Sequence, residues 1–540
     1  MNCKHLSTVL YAVPAFFMLL FCFYQSGFQS FWLDEMSLLG TITKDKSLAD
    51  ILNQYLTIDV TNLPLFPLAA ALWYRIFPAI DRIMLLLPAI SVFFSVLFTA
   101  RLSEHCFGRA AGAAAAILTS SSSFIILKCC FEFRSYAFML LFSASSLYYH
   151  ALYKDRFLSV QKEALSNSSS SDNKASKFGF RALFSDFTNP YFTAFTLSLF
   201  FLAFSHYMGV LLILGLGICD FFLYLYNEQS KKNILKKTSI LKKLLSSFKP
   251  YFVNAVMFLV WFALMLQNKT KSISSFWPDP PTLPKITRSL RAMLSGNEAI
   301  FIMMIISFLI MLSHIFTSLS GKSSIPKKVL HALTLSFSGL FVLGSVFIYS
   351  VKINPSGGFF VTRYFTVILP CMIGLISFGI SEAINFFTDN KTRERRLRLI
   401  FVCLGLLITY YFPANYRKVR EESGKSTETF REAASWIKSN AKDDLYEDNT
   451  AVICSVNPRA TAGFIEYYLR EGGRTPNVNF ISLQSEEPLK DLPKYDEIYL
   501  VTVHREMSKF DDEIQSAIFD NYELKDSNED IKAYFYKKKG

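Results

Sequence analysis

Long apolar runs recur along most of the chain and stop near residue 413. About eleven are long enough to span a bilayer: 9–28, 83–102, 110–128, 136–152, 191–205, 207–226, 250–267, 299–317, 330–350, 364–385 and 399–413. A helix needs roughly 20 apolar residues for that. Beyond 413 the pattern changes. Charged residues become frequent, and short β-type runs appear at Ala451–Val456, Asn477–Leu483 and Glu497–Val503. Helical patterns near 427–440 and 460–471 alternate with them, and Asn521–Lys525 and Ile531–Tyr536 supply a final strand pair. The pattern predicts a mainly α membrane protein. Residues 1–413 form a bundle of about eleven transmembrane helices, and residues 414–540 form a small C-terminal α/β domain. The first run lacks a small-residue cleavage site and is read as a retained anchor.

Basic residues orient the bundle. Arg101 and Arg109 flank the gap after the second span, and Lys154, Arg156, Lys162, Lys174, Lys177 and Arg181 fill the gap at 153–190. Seven Lys lie between Lys231 and Lys249. Lys322, Lys327 and Lys328 occupy the next such gap, and Lys391, Arg393, Arg395, Arg396 and Arg398 the last. These gaps alternate with gaps poor in Lys and Arg, so the N-terminus is cytoplasmic. The outer gaps are then 29–82, 129–135, the turn at His206, 268–298 and 351–363, and the C-terminal domain is extracytoplasmic. The apolar segment 64–77 is too short for a span, and a span there would invert every later loop. It is read as an interfacial or re-entrant helix in the first outer loop, 29–82. The Ser/Asn-rich stretch Ser166–Ser171 reads as a cytoplasmic loop.

Composition agrees with this frame. The 540 residues are 51% hydrophobic and 16% aromatic, with only 18% charged. Mean hydropathy is +0.29. In a soluble protein a net charge of +13 would point to nucleic acid. Here the excess sits in short loops between spans, so no nucleic-acid partner is expected. The nine Cys residues show neither metal nor disulfide spacing. The chain reads as a multi-pass integral membrane protein, placed in a bacterial inner membrane and contacting its lipids.

With that topology, Asp34, Glu35, Glu132, Arg134, His206 and Arg363 all fall on the outer side, although their loops are far apart in sequence. Each also has a plainer reading. Asp34 and Glu35 suit the cap of a helix starting near Met36. Glu132 and Arg134 suit a local ion pair around Phe133. His206 suits an interfacial polar residue, and Arg363 an interfacial anchor. Trp277, in Trp277-Pro278-Asp279-Pro280-Pro281, reads as part of a rigid outer loop whose aromatic ring suits stacking on a sugar.

These residues resemble the motifs of the GT-C polytopic glycosyltransferases, specifically bacterial relatives of the dolichyl-phosphate-mannose protein mannosyltransferases. Such proteins place an Asp-Glu pair after the first span, as in Phe31-Trp32-Leu33-Asp34-Glu35. A Pro-Pro-Leu-Tyr-Tyr-like segment corresponds to Asn62-Leu63-Pro64-Leu65-Phe66, with Leu63 at the first Pro. Glu-x-Arg-x-Tyr appears as Glu132-Phe133-Arg134-Ser135-Tyr136, a His-Tyr pair as His206-Tyr207, and an Arg-Tyr followed by Pro as Arg363-Tyr364 and Pro370. The likeness covers about 1–440.

The resemblance implies a GT-C bundle with its reaction centre at the outer leaflet. The donor would be a polyprenyl-phosphate sugar, and the acceptor a glycan, lipid or protein of the envelope. Asp34 takes the place of the catalytic acid and becomes the candidate base. Glu35 orients it or helps hold the acceptor, and Glu132 is a second carboxylate near the reaction centre. Arg134 and Arg363 are candidates for the donor phosphate, which a guanidinium matches bidentately. His206 is a candidate for phosphate or acceptor. Tyr136, Tyr207, Tyr364 and Trp277 complete the set. No cofactor is required, though carboxylates with phosphate also suit Mg or Mn. Two other classes share the multi-span pattern. A polyprenyl-linked glycan polymerase or ligase would carry its large outer loop later in the bundle. A transporter or flippase would put charge near the midplane and show repeated halves.

A reporter active only outside the cytoplasm is expected to be active when fused after Gly540 and silent when fused within 231–249. Activity at the second site would overturn the outer-face assignment of every residue named above.

Overall fold

The computed structural model describes residues 3–28, 30–57, 62–167, 189–230, 237–267, 281–321, 323–353, 360–388, 393–423, 429–441, 445, 450–454, 458–470, 481–482, 495–502 and 512–540. Every predicted span is helical there. Among the described residues, seven helices are long and apolar enough to cross a membrane: Ser7–Phe28, Asp81–Phe107, Tyr207–Tyr226, Ser247–Leu264, Glu298–Ser320, Lys327–Lys352 and Thr362–Phe387. The chain is an integral membrane protein. An eighth crossing results if Arg109–Ser120 and Ser123–Cys130, bent by 47°, form one span. The other predicted spans lie on Tyr136–Asn167, Pro190–Ser205 and the stretch from Arg393–Leu406 into Leu407–Tyr411.

The bend falls in the run Ser120-Ser121-Ser122-Ser123. Serine side chains compete with the helix ladder for backbone groups. Ser122 Oγ accepts the Ile125 N–H. The backbone groups freed at the break find partners elsewhere: Ser295 Oγ accepts the Ser123 N–H at 3.0 Å, and Tyr416 Oη donates to the Ser120 carbonyl at 3.1 Å.

Between the first two long spans lie three helices, Leu33–Thr41, Leu48–Thr57 and Leu65–Ile76. The third is only twelve residues long, which agrees with reading 64–77 as less than a span.

The C-terminal strands are β1 (Thr450–Cys454), β2 (Ile481–Ser482), β3 (Glu497–Val501), β4 (Tyr522–Asn528) and β5 (Ala533–Lys538). They form one sheet in the order β2-β1-β3-β5-β4. β1 is parallel to β2 and β3, and β5 is antiparallel to β3 and β4. β1 and β3 are near-continuous apolar runs because both faces are covered. Ala451, Ile453, Ile498 and Leu500 pack with Ile518 of the helix Asp512–Phe519. Val452, Cys454, Tyr499 and Val501 instead join Phe31, Met36, Leu39, Phe66, Phe133, Phe430 and Phe464 in one cluster. The first-loop helices and the C-terminal module therefore share a hydrophobic core.

At the other end of the bundle, buried charges are paired. Asp220 accepts hydrogen bonds from His150 Nε2 at 3.0 Å and Tyr251 Oη at 2.7 Å, and Lys154 Nζ lies 2.9 Å away. Next to this group, Asp155 holds His105 and Lys327, each at 2.7 Å. His150, Lys154 and Asp155 share the helix Tyr136–Asn167, so it is fastened to four neighbouring helices. A charge in a membrane interior is costly unless paired in this way. Removing one partner of a buried pair typically costs about 3–5 kcal/mol. Asp220→Ala is therefore expected to lower the thermal unfolding midpoint of the detergent-solubilised protein clearly, and Asp220→Asn to lower it less. Equal midpoints for wild type and Asp220→Ala would show that the network does not hold the bundle.

Candidate functional site

The site begins where the first span ends. Trp32 is extended (φ −102°, ψ 176°), and the helix Leu33–Thr41 starts directly after it. The Glu35 carboxylate accepts the Trp32 N–H at 2.9 Å, while the Trp32 carbonyl accepts the N–H groups of Glu35 and Met36. That reciprocal arrangement is a helix cap. The second Glu35 oxygen accepts the backbone N–H of Phe133. Glu35 is only 1% exposed. It therefore fastens the Leu33–Thr41 helix to the Phe133 backbone. The cap reading applies to Glu35, while Asp34 is left open, with 36% of its side chain exposed.

Asp34 Oδ2 lies 3.1 Å from Arg134 Nη1 and 3.8 Å from Arg363 Nη2. Arg134 is thus paired with Asp34 rather than with Glu132. Glu132 instead takes Lys128 Nζ at 3.0 Å, and its other oxygen is buried without a hydrogen-bond partner among the described residues. The Arg363 guanidinium lies over the Trp32 ring at 4.9 Å and the Tyr136 ring at 5.7 Å, both within cation–π range. Tyr136, His206 and Tyr364 form a ring cluster behind it. The centroids are 6.1 Å apart for Tyr136–His206, 6.2 Å for Tyr136–Tyr364 and 5.2 Å for His206–Tyr364. His206 sits in the turn between two helices, where its Nδ1 accepts the Met208 N–H at 3.2 Å. Its enclosure, with the Arg134 charge adding to the effect, lowers its pKa, so the imidazole stays neutral. Tyr207 opens the next helix beside it. Trp277 lies outside the described residues.

A cavity of about 490 Å³ opens in front of Asp34. Arg134 and Ser135 line it from one side, and Tyr55, Asn62, Leu63, Phe66 and Pro67, from the region between the first two long spans, line it as well. The far wall holds Arg459, from the C-terminal module. Asn62, Leu63 and Phe66 of the segment Asn62–Phe66 thus reach the cavity. Arg459, Tyr55, Ser37 and Thr41 were not foreseen from sequence. The one sequence sign of Arg459 is a Pro-Arg step opening the helical pattern after a strand, and that does not point to the chain's first loop.

Among the described residues, no group of three or more His, Cys, Asp or Glu side chains is arranged to hold a metal ion. Asp34 faces two guanidiniums, which repel a divalent cation, and Glu35 is spent on backbone donors. The side chains present do not make a cation site of their own. What they offer is a carboxylate with two fixed cations, stabilising negative charge that develops beside a proton acceptor.

Burial pushes the Glu35 carboxyl well above its ordinary value of 4.5; its two backbone donors and Arg134 oppose the shift, and Glu132 adds to it. A raised folded-state value gives a stabilising contribution that is complete below the unfolded value and fades as pH rises through the folded one. Glu35→Gln keeps a capping side chain and removes the titration. As pH rises above the ordinary carboxyl range, the unfolding midpoint of the wild type is expected to fall relative to that of Glu35→Gln. Parallel pH profiles would show that Glu35 is not held protonated.

No protein-family model matches the sequence, and no curated protein does. Solved structures do match. ArnT from Cupriavidus metallidurans bound to undecaprenyl phosphate has a TM-score of 0.55 and 10% identity, over 98% of this chain and 97% of that one. The same protein in its apo state also has a TM-score of 0.55, with 11% identity over 99% and 98%. The apo oligosaccharyltransferase of Archaeoglobus fulgidus has a TM-score of 0.49 and 12% identity, over 89% of this chain and 65% of that one. The match to ArnT is end to end, over the bundle, the helices between the first two long spans and the C-terminal sheet, so the chain shares the fold of ArnT.

Proposed function

We propose that the chain is a glycosyltransferase. It moves a sugar from a polyprenyl-phosphate donor to a hydroxyl of an envelope glycan, lipid or protein, at the outer face of a bacterial inner membrane. In this reading eleven spans carry residues 1–413, the N-terminus is cytoplasmic, and residues 414–540 form an extracytoplasmic α/β domain. The observation that carries the reading is Asp34, held between Arg134 and Arg363 at the mouth of the cavity. The bound lipid of the ArnT structure supports the donor class.

A prenyl-linked sugar cannot leave the bilayer, so its reactive carbon must be met at the interface. An apolar groove of about 200 Å³, lined by Leu290, Phe308, Leu335, Leu343, Ile368 and Leu375, suits the prenyl chain. Ile368 ends the turn Thr362–Ile368, which also carries Arg363. The phosphate then lies at the guanidiniums and competes with Asp34 for them, which frees the carboxylate. The acceptor oxygen attacks C1 of the sugar from the face opposite the phosphate. Its proton passes to Asp34 as the new C1–O bond forms. The old bond from C1 to the phosphate oxygen breaks, and its electron pair leaves on the polyprenyl phosphate. The anomeric centre inverts. Arg134 and Arg363 stabilise the growing charge on the leaving group. His206 Nε2–H is a neutral donor for phosphate or acceptor, and Glu132 is a reserve carboxylate.

Loss of a general base typically costs about two to four orders of magnitude in rate. Asp34→Asn is expected to insert, bind undecaprenyl phosphate and transfer almost nothing. The readout is mass spectrometry of the envelope of a deletion strain carrying each variant: wild type restores the missing sugar and Asp34→Asn does not. Near-normal transfer would remove Asp34 as the base and make Glu132 the next candidate.

Arg363→Lys keeps the charge and loses the fork. It is expected to weaken undecaprenyl phosphate binding with insertion unchanged. Wild-type binding by both Arg363→Ala and Arg134→Ala would remove the phosphate role.

A further inference from the structure

The segment joining the first span to Asp34 is held by the C-terminal module through one buried carboxylate, Asp81. Asp81 opens the span Asp81–Phe107, and its Oδ2 accepts from Tyr468 Oη at 3.2 Å and Arg431 Nη1 at 3.3 Å. Both donors come from the C-terminal module, and both reach on to residues 27–31. Tyr468 Oη accepts the backbone N–H of Phe31 at 3.2 Å, three residues before Asp34. Arg431 Nη1 donates to the Gly27 carbonyl at 3.1 Å, and the Arg431 N–H donates to Ser30 Oγ at 3.2 Å. The Phe31 ring packs on Tyr467 at 5.3 Å and on Phe133 at 5.9 Å. The same module grips the far end of the Asp34 helix. There the helices Leu33–Thr41 and Pro458–Phe464 cross backbone to backbone: a Cβ on Gly40 would overlap the Arg459 carbonyl oxygen, and one on Gly463 the Met36 carbonyl oxygen.

We infer that Tyr468 and Arg431 are positioning residues for Asp34: docked on Asp81, they fix Gly27, Ser30 and Phe31 and with them the direction in which Asp34 faces the cavity. This rests on the proposed role of Asp34 and deepens it. The C-terminal module then belongs to the reaction centre. Asp34 meets Arg134 and Arg363 through a half-buried side chain, so its aim depends on the backbone that carries it. Misplacing a reacting group by about 1 Å can cost roughly 100-fold in rate. The Phe31 N–H and the Asp81 carboxylate meet at one hydroxyl, so Tyr468→Phe breaks the Tyr468 arm of the latch while keeping the ring, its packing and the Arg431 arm.

The test uses full-length protein. Tyr468→Phe, Asp34→Asn and the double variant are expressed in the deletion strain. The rate of sugar restoration to the envelope is measured per enzyme molecule, and undecaprenyl phosphate binding and amide exchange over 31–41 are measured on the purified proteins. The expected result for Tyr468→Phe is a transfer rate about tenfold lower, wild-type lipid binding and faster exchange over 31–41. The double variant is expected to be no slower than Asp34→Asn, because a residue acting through Asp34 has nothing left to lose there. A general structural defect would instead multiply the two losses and weaken lipid binding. Transfer by Tyr468→Phe within twofold of wild type, or multiplied losses, would overturn the latch while a dead Asp34→Asn leaves the function standing. Normal transfer by Asp34→Asn would overturn the role of Asp34, and the purpose assigned to the latch with it.

Discussion

A half-buried carboxylate between two guanidiniums is the arrangement the rest of the molecule serves. Asp34, Arg134 and Arg363 come from three stretches of chain more than three hundred residues apart at the extremes, yet meet within 3.8 Å. Long flexible side chains gain little from an exposed ion pair in water. Here each partner is held by something else. Arg363 lies on the faces of Trp32 and Tyr136, Phe133 next to Arg134 is tied through its N–H to Glu35, and Asp34 rides on a helix capped by Glu35. The ordering has been done before any ligand arrives, which is the condition for electrostatic stabilisation to accelerate a reaction.

The convergence of these side chains was legible from sequence for a physical reason. In lipid the backbone must satisfy itself within helices, so hydropathy places each span, and the Lys/Arg asymmetry then assigns each gap to one face. Residues scattered over a chain of 540 become neighbours once they are known to share a face. The tail was legible too, because alternating strand and helix patterns survive in a solvated domain. The separate fates of Asp34 and Glu35 were not. Adjacent helical residues point about 100° apart, so one of the pair faces the cavity and the other the protein interior, and only the neighbouring Phe133 N–H decides which. The pairing of Arg134 was equally hidden: two residues from Glu132, it turns to a carboxylate about a hundred positions away.

Arg459 and the Asp81 latch stayed out of sight because they depend on how two units dock. Docking is written in shape rather than period. Gly40 and Gly463 permit a backbone contact that no hydrophobic pattern announces, and the apolar residues of the shared core read as ordinary interior on either side. A division at 413 therefore separates the chain by composition, while the hydrophobic core runs across it. The first outer loop has one face on the bundle and the other on the sheet. Its helices are short, at nine, ten and twelve residues, and helices of that length are marginal alone. They persist because both sides are covered.

The charge count at the site bears on the donor. Two guanidiniums and one carboxylate leave a formal excess of one positive charge. A sugar on a polyprenyl phosphate is a phosphodiester with one negative charge, so its arrival makes the cluster neutral. In the proposed reaction Asp34 gains a proton as the diester becomes a monoester bearing two negative charges. The two guanidiniums then balance the product as evenly as they balanced the substrate. In a region of low dielectric, where an uncompensated charge is costly, this keeps both ends of the reaction within reach of each other. A diphosphate-linked donor would bring one more negative charge than the pair can match and would call for a further cation. The pair beside Asp34 thus matches the charge of a monophosphate carrier, and Arg459 on the far wall of the cavity stands outside that count.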